Sequence, residues 1–199
     1  MRLIYGAAQG LEYLHFNGII HGNVKCANIL VSKEGEARLC DFGMSKVIED
    51  VTERSVSATL SAGDSARWTA PELVLEGKGP STEADTYSFA MAILELLTKK
   101  RPYPECRSTP TVIYRFVVEN KPPSRPIEHW MTDVLWDLLC RCWQMDASSR
   151  PTMDEVSPCI QTMLTQRQMI RASCMSDFGR RRVSIAWNLP IYYILQALY

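Results

Sequence analysis

The stretch that decides the reading of this chain is His21-Gly22-Asn23-Val24-Lys25-Cys26-Ala27-Asn28-Ile29-Leu30-Val31, then Ser32-Lys33-Glu34-Gly35, then Glu36-Ala37-Arg38-Leu39-Cys40-Asp41-Phe42-Gly43. Two short apolar runs, Ile29 to Val31 and Ala37 to Cys40, flank a polar turn with Gly35, the pattern of a β-hairpin. Asn28 enters the first strand and Asp41 leaves the second, so the hairpin brings both to one end, about one strand spacing apart. Two oxygen donors so placed suit a hard cation such as Mg²⁺, which takes one or two protein oxygens and fills its other positions with water and phosphate.

Outward from the hairpin the chain is predicted to be mainly helical. Residues 2 to 17 put Leu3, Ile4, Ala7, Leu11 and Leu14 at helical spacing before an Asn17-Gly18 stop. Residues 82 to 98 are apolar on nearly every side, which marks a buried helix. At 1.5 Å per residue its length of about 25 Å is too short for a membrane span. Thr82 and Asp85 have the spacing of a capping box at its start, and Lys99-Lys100-Arg101 places positive charge at its end. Further helices start at Thr132, with Val134, Leu135, Leu138, Leu139 and Cys142 on one face, and at Thr152, with Glu155 completing a capping box.

Composition bounds the function classes. The chain has 199 residues with 46% hydrophobic and 22% charged content, enough for one sizeable core. Its 22 basic residues balance 22 acidic ones, which removes a bulk electrostatic case for nucleic acid. The 7 cysteines include no C-x-x-C pair and the amino terminus has no signal-like pattern, so a reducing compartment, cytoplasmic or nuclear, is expected. His15, His21 and His129 make no zinc arrangement, Gly77-Lys78-Gly79 lacks Walker spacing, and no Gly-x-Ser-x-Gly elbow is present.

The order His21-x-Asn23-x-x-x-x-Asn28, Asp41-Phe42-Gly43 and Ala70-Pro71-Glu72 resembles the catalytic loop, magnesium loop and activation-segment end of a protein kinase. The resemblance covers about residues 2 to 166 and is to the mostly helical C-terminal lobe. Lys25 and Arg67-Trp68 look closest to serine/threonine kinases of the tyrosine-kinase-like group. The resemblance implies a mainly α C-terminal lobe with a small catalytic-loop hairpin over residues 1–168, and a divergent tail over residues 169–199. The N-terminal small lobe, with its glycine loop, strand lysine and partner glutamate, is expected to be absent from the chain.

The same resemblance implies site roles: Asn28 and Asp41 on Mg²⁺, Leu30 with them on ATP, Lys25 near the transferred phosphate, and Asn23 orienting a substrate hydroxyl. It makes His21 a core histidine, pairs Glu72 with Arg150, and gives Asp85 a second role as acceptor for the catalytic-loop backbone. Two departures stand at the centre of the motif. Asn23 replaces the aspartate that accepts the hydroxyl proton, and Gly22 replaces the arginine that pairs with a phosphorylated activation loop.

The expected function is therefore an ATP-dependent serine/threonine phosphotransferase family member, impaired by Asn23 and by the lack of a small lobe, with weak ATP and Mg²⁺ binding. Two alternatives stay open: an active or weakly active kinase whose small lobe lies outside this chain, and a pseudokinase interaction scaffold. Partners are expected to be a protein substrate or protein partner, with neither nucleic acid nor membrane.

Met44 to Thr69 reads as an activation segment with Ser55, Ser57, Thr59, Ser61 and Ser65 as candidate phosphoacceptors, or as a solvated loop rich in hydroxyls. Arg180-Arg181-Arg182-Val183-Ser184 has the look of a basophilic kinase substrate, or of a plain charge cluster. Asp177-Phe178-Gly179 repeats the magnesium tripeptide by coincidence, since no strand precedes it.

Overall fold

The structure, a computed structural model, describes residues 1–41, 46–47, 63–128 and 130–180. Phe42 and Gly43, the candidate phosphoacceptors Ser55 to Ser61, His129 and Ser184 lie outside the described residues. Contacts divide the chain into two units, Met1–Leu164 and Thr165–Tyr199.

The first unit is mainly helical, as expected. Helix α1 spans Arg2–Phe16 and buries Ile4, Ala7, Ala8 and Leu11, one helical face of apolar side chains. Strand β1, Ile19–Ile20, pairs antiparallel with β4, Lys46–Val47. Strands β2, Ile29–Val31, and β3, Ala37–Leu39, form the hairpin, in the register Ile29↔Leu39, Leu30↔Arg38 and Val31↔Ala37. Below the hairpin, α1 approaches β3 closely. A Cβ added at Gly6 would lie 3.3 Å from Ala37 Cβ, and one at Gly10 would lie 3.3 Å from Leu39 Cδ1. The two glycines therefore let the helix seat the hairpin by backbone approach.

Helix α2 is Pro71–Leu75, and α3 is Thr82–Thr98. The latter carries the core: Ala84, Tyr87, Phe89 and the run Ala90 to Leu94 are all buried, which explains why its sequence is apolar on every side. The expected capping box is corrected. Ser81 is the N-cap and accepts from the Ala84 N–H at 3.1 Å, while the Thr82 hydroxyl turns to Glu83. Two adjacent hydroxyls compete for the cap, and the one with extended backbone wins. Asp85 is thereby released for another task. At the far end Lys99 closes the helix in the left-handed region, with φ of 57°.

Helix α4, Thr109–Ile113, continues into a wide π-type turn over Tyr114–Val118. Helix α5, Asp133–Cys142, is capped by Thr132, whose hydroxyl accepts from the Leu135 N–H. It buries Leu135, Leu138, Leu139 and Cys142, so the apolar face predicted there is the packed one, apart from Val134, which is exposed. Helix α6 spans Met153–Arg180, longer than its apolar pattern indicates. Asp177-Phe178-Gly179 lies within it, not after a strand. The capping carboxylate of Glu155 accepts from the Thr152 N–H at 3.0 Å.

Among the described residues no helix is long and apolar enough to cross a membrane.

Candidate functional site

The loop that runs from His21 to Asn28 is fixed by α3. Asp85, 2% exposed, accepts from the His21 N–H through Oδ2 and from the Gly22 N–H through Oδ1, each at 2.8 Å. His15 at the end of α1 adds Nε2 at 3.0 Å from the same Oδ2. Gly22 takes φ of +75°, a left-handed conformation that glycine adopts without the Cβ clash of other residues. His21 is fully buried, and its Nδ1 accepts from the Asn23 N–H at 3.3 Å. It is a core histidine and not an acid or base open to solvent.

A second carboxylate on α3 holds the next turn. Glu95 Oε2 accepts from the Cys26 N–H at 3.1 Å and from Trp68 Nε1 at 3.0 Å. One oxygen thus ties the loop His21 to Asn28 to the end of the segment that carries Ala70-Pro71-Glu72. The Cys26 thiol sits 3.1 Å from the Ala92 carbonyl, and burial first, then the charge of Glu95, push its pKa up to about 12. It is no nucleophile at neutral pH.

With the loop so anchored, three side chains meet at the hairpin's end. Asn28 Nδ2 donates to the Asn23 carbonyl at 2.7 Å and to Asp41 Oδ2 at 3.2 Å. Asn23 Nδ2 also donates to Asp41 Oδ2, at 2.9 Å. The strand ladder delivers this meeting: beyond the Ile29↔Leu39 pair, the Cys40 N–H reaches the Asn28 carbonyl at 3.0 Å, and Asp41 follows with φ of +64°. An aspartate tolerates that conformation better than most residues. The predicted pair Asn28 and Asp41 is brought into contact, and Asn23 joins it through the same carboxylate oxygen.

Oxygen donors of this kind fit a hard divalent cation. The Asn28 N–H₂ is satisfied inside the loop, which leaves its Oδ1 for a ligand, and Asp41 Oδ1 takes no hydrogen bond from the described residues. No cluster of three or more His, Cys, Asp or Glu side chains able to hold a metal occurs among the described residues. The charge on offer is therefore a single carboxylate, and water or phosphate completes the shell of a cation held here.

Lys25 does not reach this trio. Its Nζ donates to Ser65 Oγ at 3.2 Å. Both line a cleft of about 130 Å³ together with Asn23, Trp68 and Thr69. Ser65, a candidate phosphoacceptor by sequence, is half-buried and engaged with the loop lysine. Leu30 stands on β2 with 55% of its surface exposed, beside Val31 at 56%.

The lobe's ends are clamped by buried cations. Arg150 donates from both terminal nitrogens to Glu72, each bond 2.7 Å, and its guanidinium lies 5.1 Å from the Tyr87 ring centroid. Arg67, 4% exposed, donates to the carbonyls of Pro102, Tyr103 and Cys106 at 2.7–2.8 Å. The guanidinium beside Trp68 is thus spent inside the fold.

Sequence reasoning did not find Ser65, Glu95, His15 or Arg67 in these roles. A lone carboxylate within the apolar stretch of α3 was the available signal for Glu95. Nothing in the local pattern marks the other three.

The sequence matches the family described as protein tyrosine and serine/threonine kinase over residues 1–160. It is 37% identical over 145 residues to mitogen-activated protein kinase kinase kinase 1a of Physcomitrium patens, covering 73% of this chain and 18% of the relative. It is 33% identical over 161 residues to the tyrosine-protein kinase Src64B of Drosophila melanogaster, covering 76% of this chain and 27% of the relative. A further match, to mitogen-activated protein kinase kinase kinase 2 of Arabidopsis thaliana, is 33% identical over 147 residues, with 74% and 22% covered. The chain thus spans less than a third of the length of each of these relatives.

Proposed function

This chain belongs to the protein tyrosine and serine/threonine kinase family, and on that premise we propose that it is a kinase C-terminal lobe in which phosphoryl transfer is impaired at Asn23. The observation that carries this reading is the direction of one hydrogen bond. Asn23 donates through Nδ2 to Asp41 at 2.9 Å, and of its side-chain atoms only Oδ1 accepts from a substrate hydroxyl. An amide oxygen orients that hydroxyl but does not take up its proton, and general-base catalysis contributes about 10²–10⁴-fold. Transfer through a loose transition state depends mainly on positioning and charge, so the parts for those tasks retain value.

In this reading Asn28 and Asp41 hold Mg²⁺, which when bound offsets the charge of the ATP phosphates. Lys25 lies toward the transferred phosphate, and Leu30 lies against the nucleotide base. The cleft beside Asn23, Lys25 and Ser65 receives the acceptor side chain of a protein substrate. Lys25, two residues after Asn23, supports serine or threonine as that acceptor. The lobe is assigned to residues 1–168 and the tail to residues 169–199, in a cytoplasmic or nuclear protein.

A second reading, an interaction scaffold that transfers nothing, is favoured by the apolar surface at Leu30, Val31 and Phe16, the last 88% exposed. The test is transfer from Mg-ATP to a generic protein acceptor by the purified chain. No transfer above an Asp41→Ala control is expected. Clear transfer that Asp41→Ala abolishes overturns the assignment.

A further inference from the structure

The Asp41 carboxylate is the only anionic group in the trio, and two amides converge on one of its oxygens, at 2.9 Å from Asn23 and 3.2 Å from Asn28. An aspartate side chain at position 23 has no N–H to offer and would leave Asp41 Oδ2 with only the longer bond from Asn28. Asn23 replaces that arrangement with a neutral donor, and this does two separable things. It removes one negative charge from the neighbourhood of the cation, and it adds a hydrogen bond that competes with coordination through Asp41 Oδ2.

We propose that Asn23 is a latch on the divalent-cation site: its side-chain N–H holds Asp41 Oδ2, so a cation that draws in the Asp41 carboxylate through that oxygen competes with the bond. The inference rests on the reading of Asn28 and Asp41 as the cation ligands, and extends it to a residue that touches no metal. The latch operates at little structural cost. Asp41 is exposed and Asn23 is half-exposed, so the bond secures a side-chain orientation, not a core. The Asn28 bond to the Asn23 carbonyl, 2.7 Å, involves backbone and persists whichever side chain occupies position 23. Asn28 keeps that backbone anchor in each variant, and its longer 3.2 Å bond to Asp41 is common to all of them, so the variants differ in what position 23 offers to Asp41.

The experiment is Mn²⁺ binding to the purified chain and its variants, read from the free-ion electron paramagnetic resonance signal without nucleotide or turnover. Thermal melts confirm that each variant is folded. Asn23→Ala removes the donor without adding charge, and a net hydrogen bond of ordinary strength predicts roughly three- to tenfold tighter Mn²⁺ binding than in the parent. Asn23→Asp removes the donor and adds charge, and binds tighter still. Asp41→Ala abolishes binding in every background. Equal affinity of Asn23→Ala and the parent, with Asp41→Ala still abolishing binding, overturns the latch and leaves the ligand assignment standing. Binding that is unaffected by Asp41→Ala, or undetectable in all chains, overturns both.

Discussion

Glu72 and Arg150 lie 78 residues apart in sequence and meet through two parallel hydrogen bonds of 2.7 Å, with 8% and 0% of their side chains exposed. The pair joins the start of α2 to the turn before α6, and the guanidinium also donates to the carbonyls of Glu83 and Gln144. Removal of one partner leaves a buried charge without its counter-ion. Glu72→Ala and Arg150→Ala should each destabilise the lobe by about 3–5 kcal/mol. Urea titration followed by circular dichroism checks this, and a loss of under about 1 kcal/mol would mean that the pair is solvated.

Asp85 should hold the catalytic-loop backbone in place. Its replacement by alanine leaves the amides of His21 and Gly22 without their acceptor, at about 1–3 kcal/mol for each buried donor. Hydrogen exchange at these two amides is the direct reading: protected in the parent, fast in Asp85→Ala. Equal protection in both would remove Asp85 from its anchoring role.

Glu95 should couple the loop to Trp68. Loss of the carboxylate in Glu95→Ala frees the Cys26 amide and the Trp68 indole together. The expected outcome is destabilisation by about 1.5–3 kcal/mol, the range for bonds to a charged group. A single-tryptophan background reporting on Trp68 should show altered emission. Unchanged stability and emission would contradict the bridge.

Two thiols, the half-buried Cys26 and the buried Cys142, give a pH dependence with a defined sign. Cys26 and Cys142 are pushed from an ordinary value near 9 up to about 12, chiefly by burial, with the Glu95 charge adding to the effect at Cys26. Unfolding returns each to its ordinary value, so the folded pKa lies above the unfolded one. The stability they contribute is complete below about pH 9 and is lost as the pH rises toward 12. Midpoints of chemical unfolding measured across that window should fall. Iodoacetamide at pH 8 should spare both cysteines in the native chain and modify both in denaturant. Rapid native labelling of either one would contradict their burial.

How much of this was legible in the sequence depends on how local each signal is. The hairpin was legible because two short apolar runs lie between Asn28 and Asp41 and Gly35 supplies a turn with φ of +78°. Buried α3 announced itself by being apolar all round. The capping residue was misplaced by one, since Ser81 and Thr82 carry the same hydroxyl and only backbone geometry chooses between them. Ser65 was hidden among equivalent hydroxyls, because its contact with Lys25 spans 40 residues. Asn23 was visible as a departure, yet the fact that its amide turns to Asp41 needed the third dimension. Local chemistry reads from the chain, whereas the long-range pairs Glu72–Arg150 and Asp85 with the loop backbone were reached only through the family resemblance.

The central claim is that Asn28 and Asp41 form one cation site at the end of the hairpin. Anomalous difference density from crystals of the chain grown with Mn²⁺ and a non-hydrolysable ATP analogue tests it most directly. One peak is expected within coordination distance of Asn28 Oδ1 and an Asp41 carboxylate oxygen, about 2.0–2.3 Å from each. Bound analogue with no peak there, or with its metal held elsewhere, would contradict it.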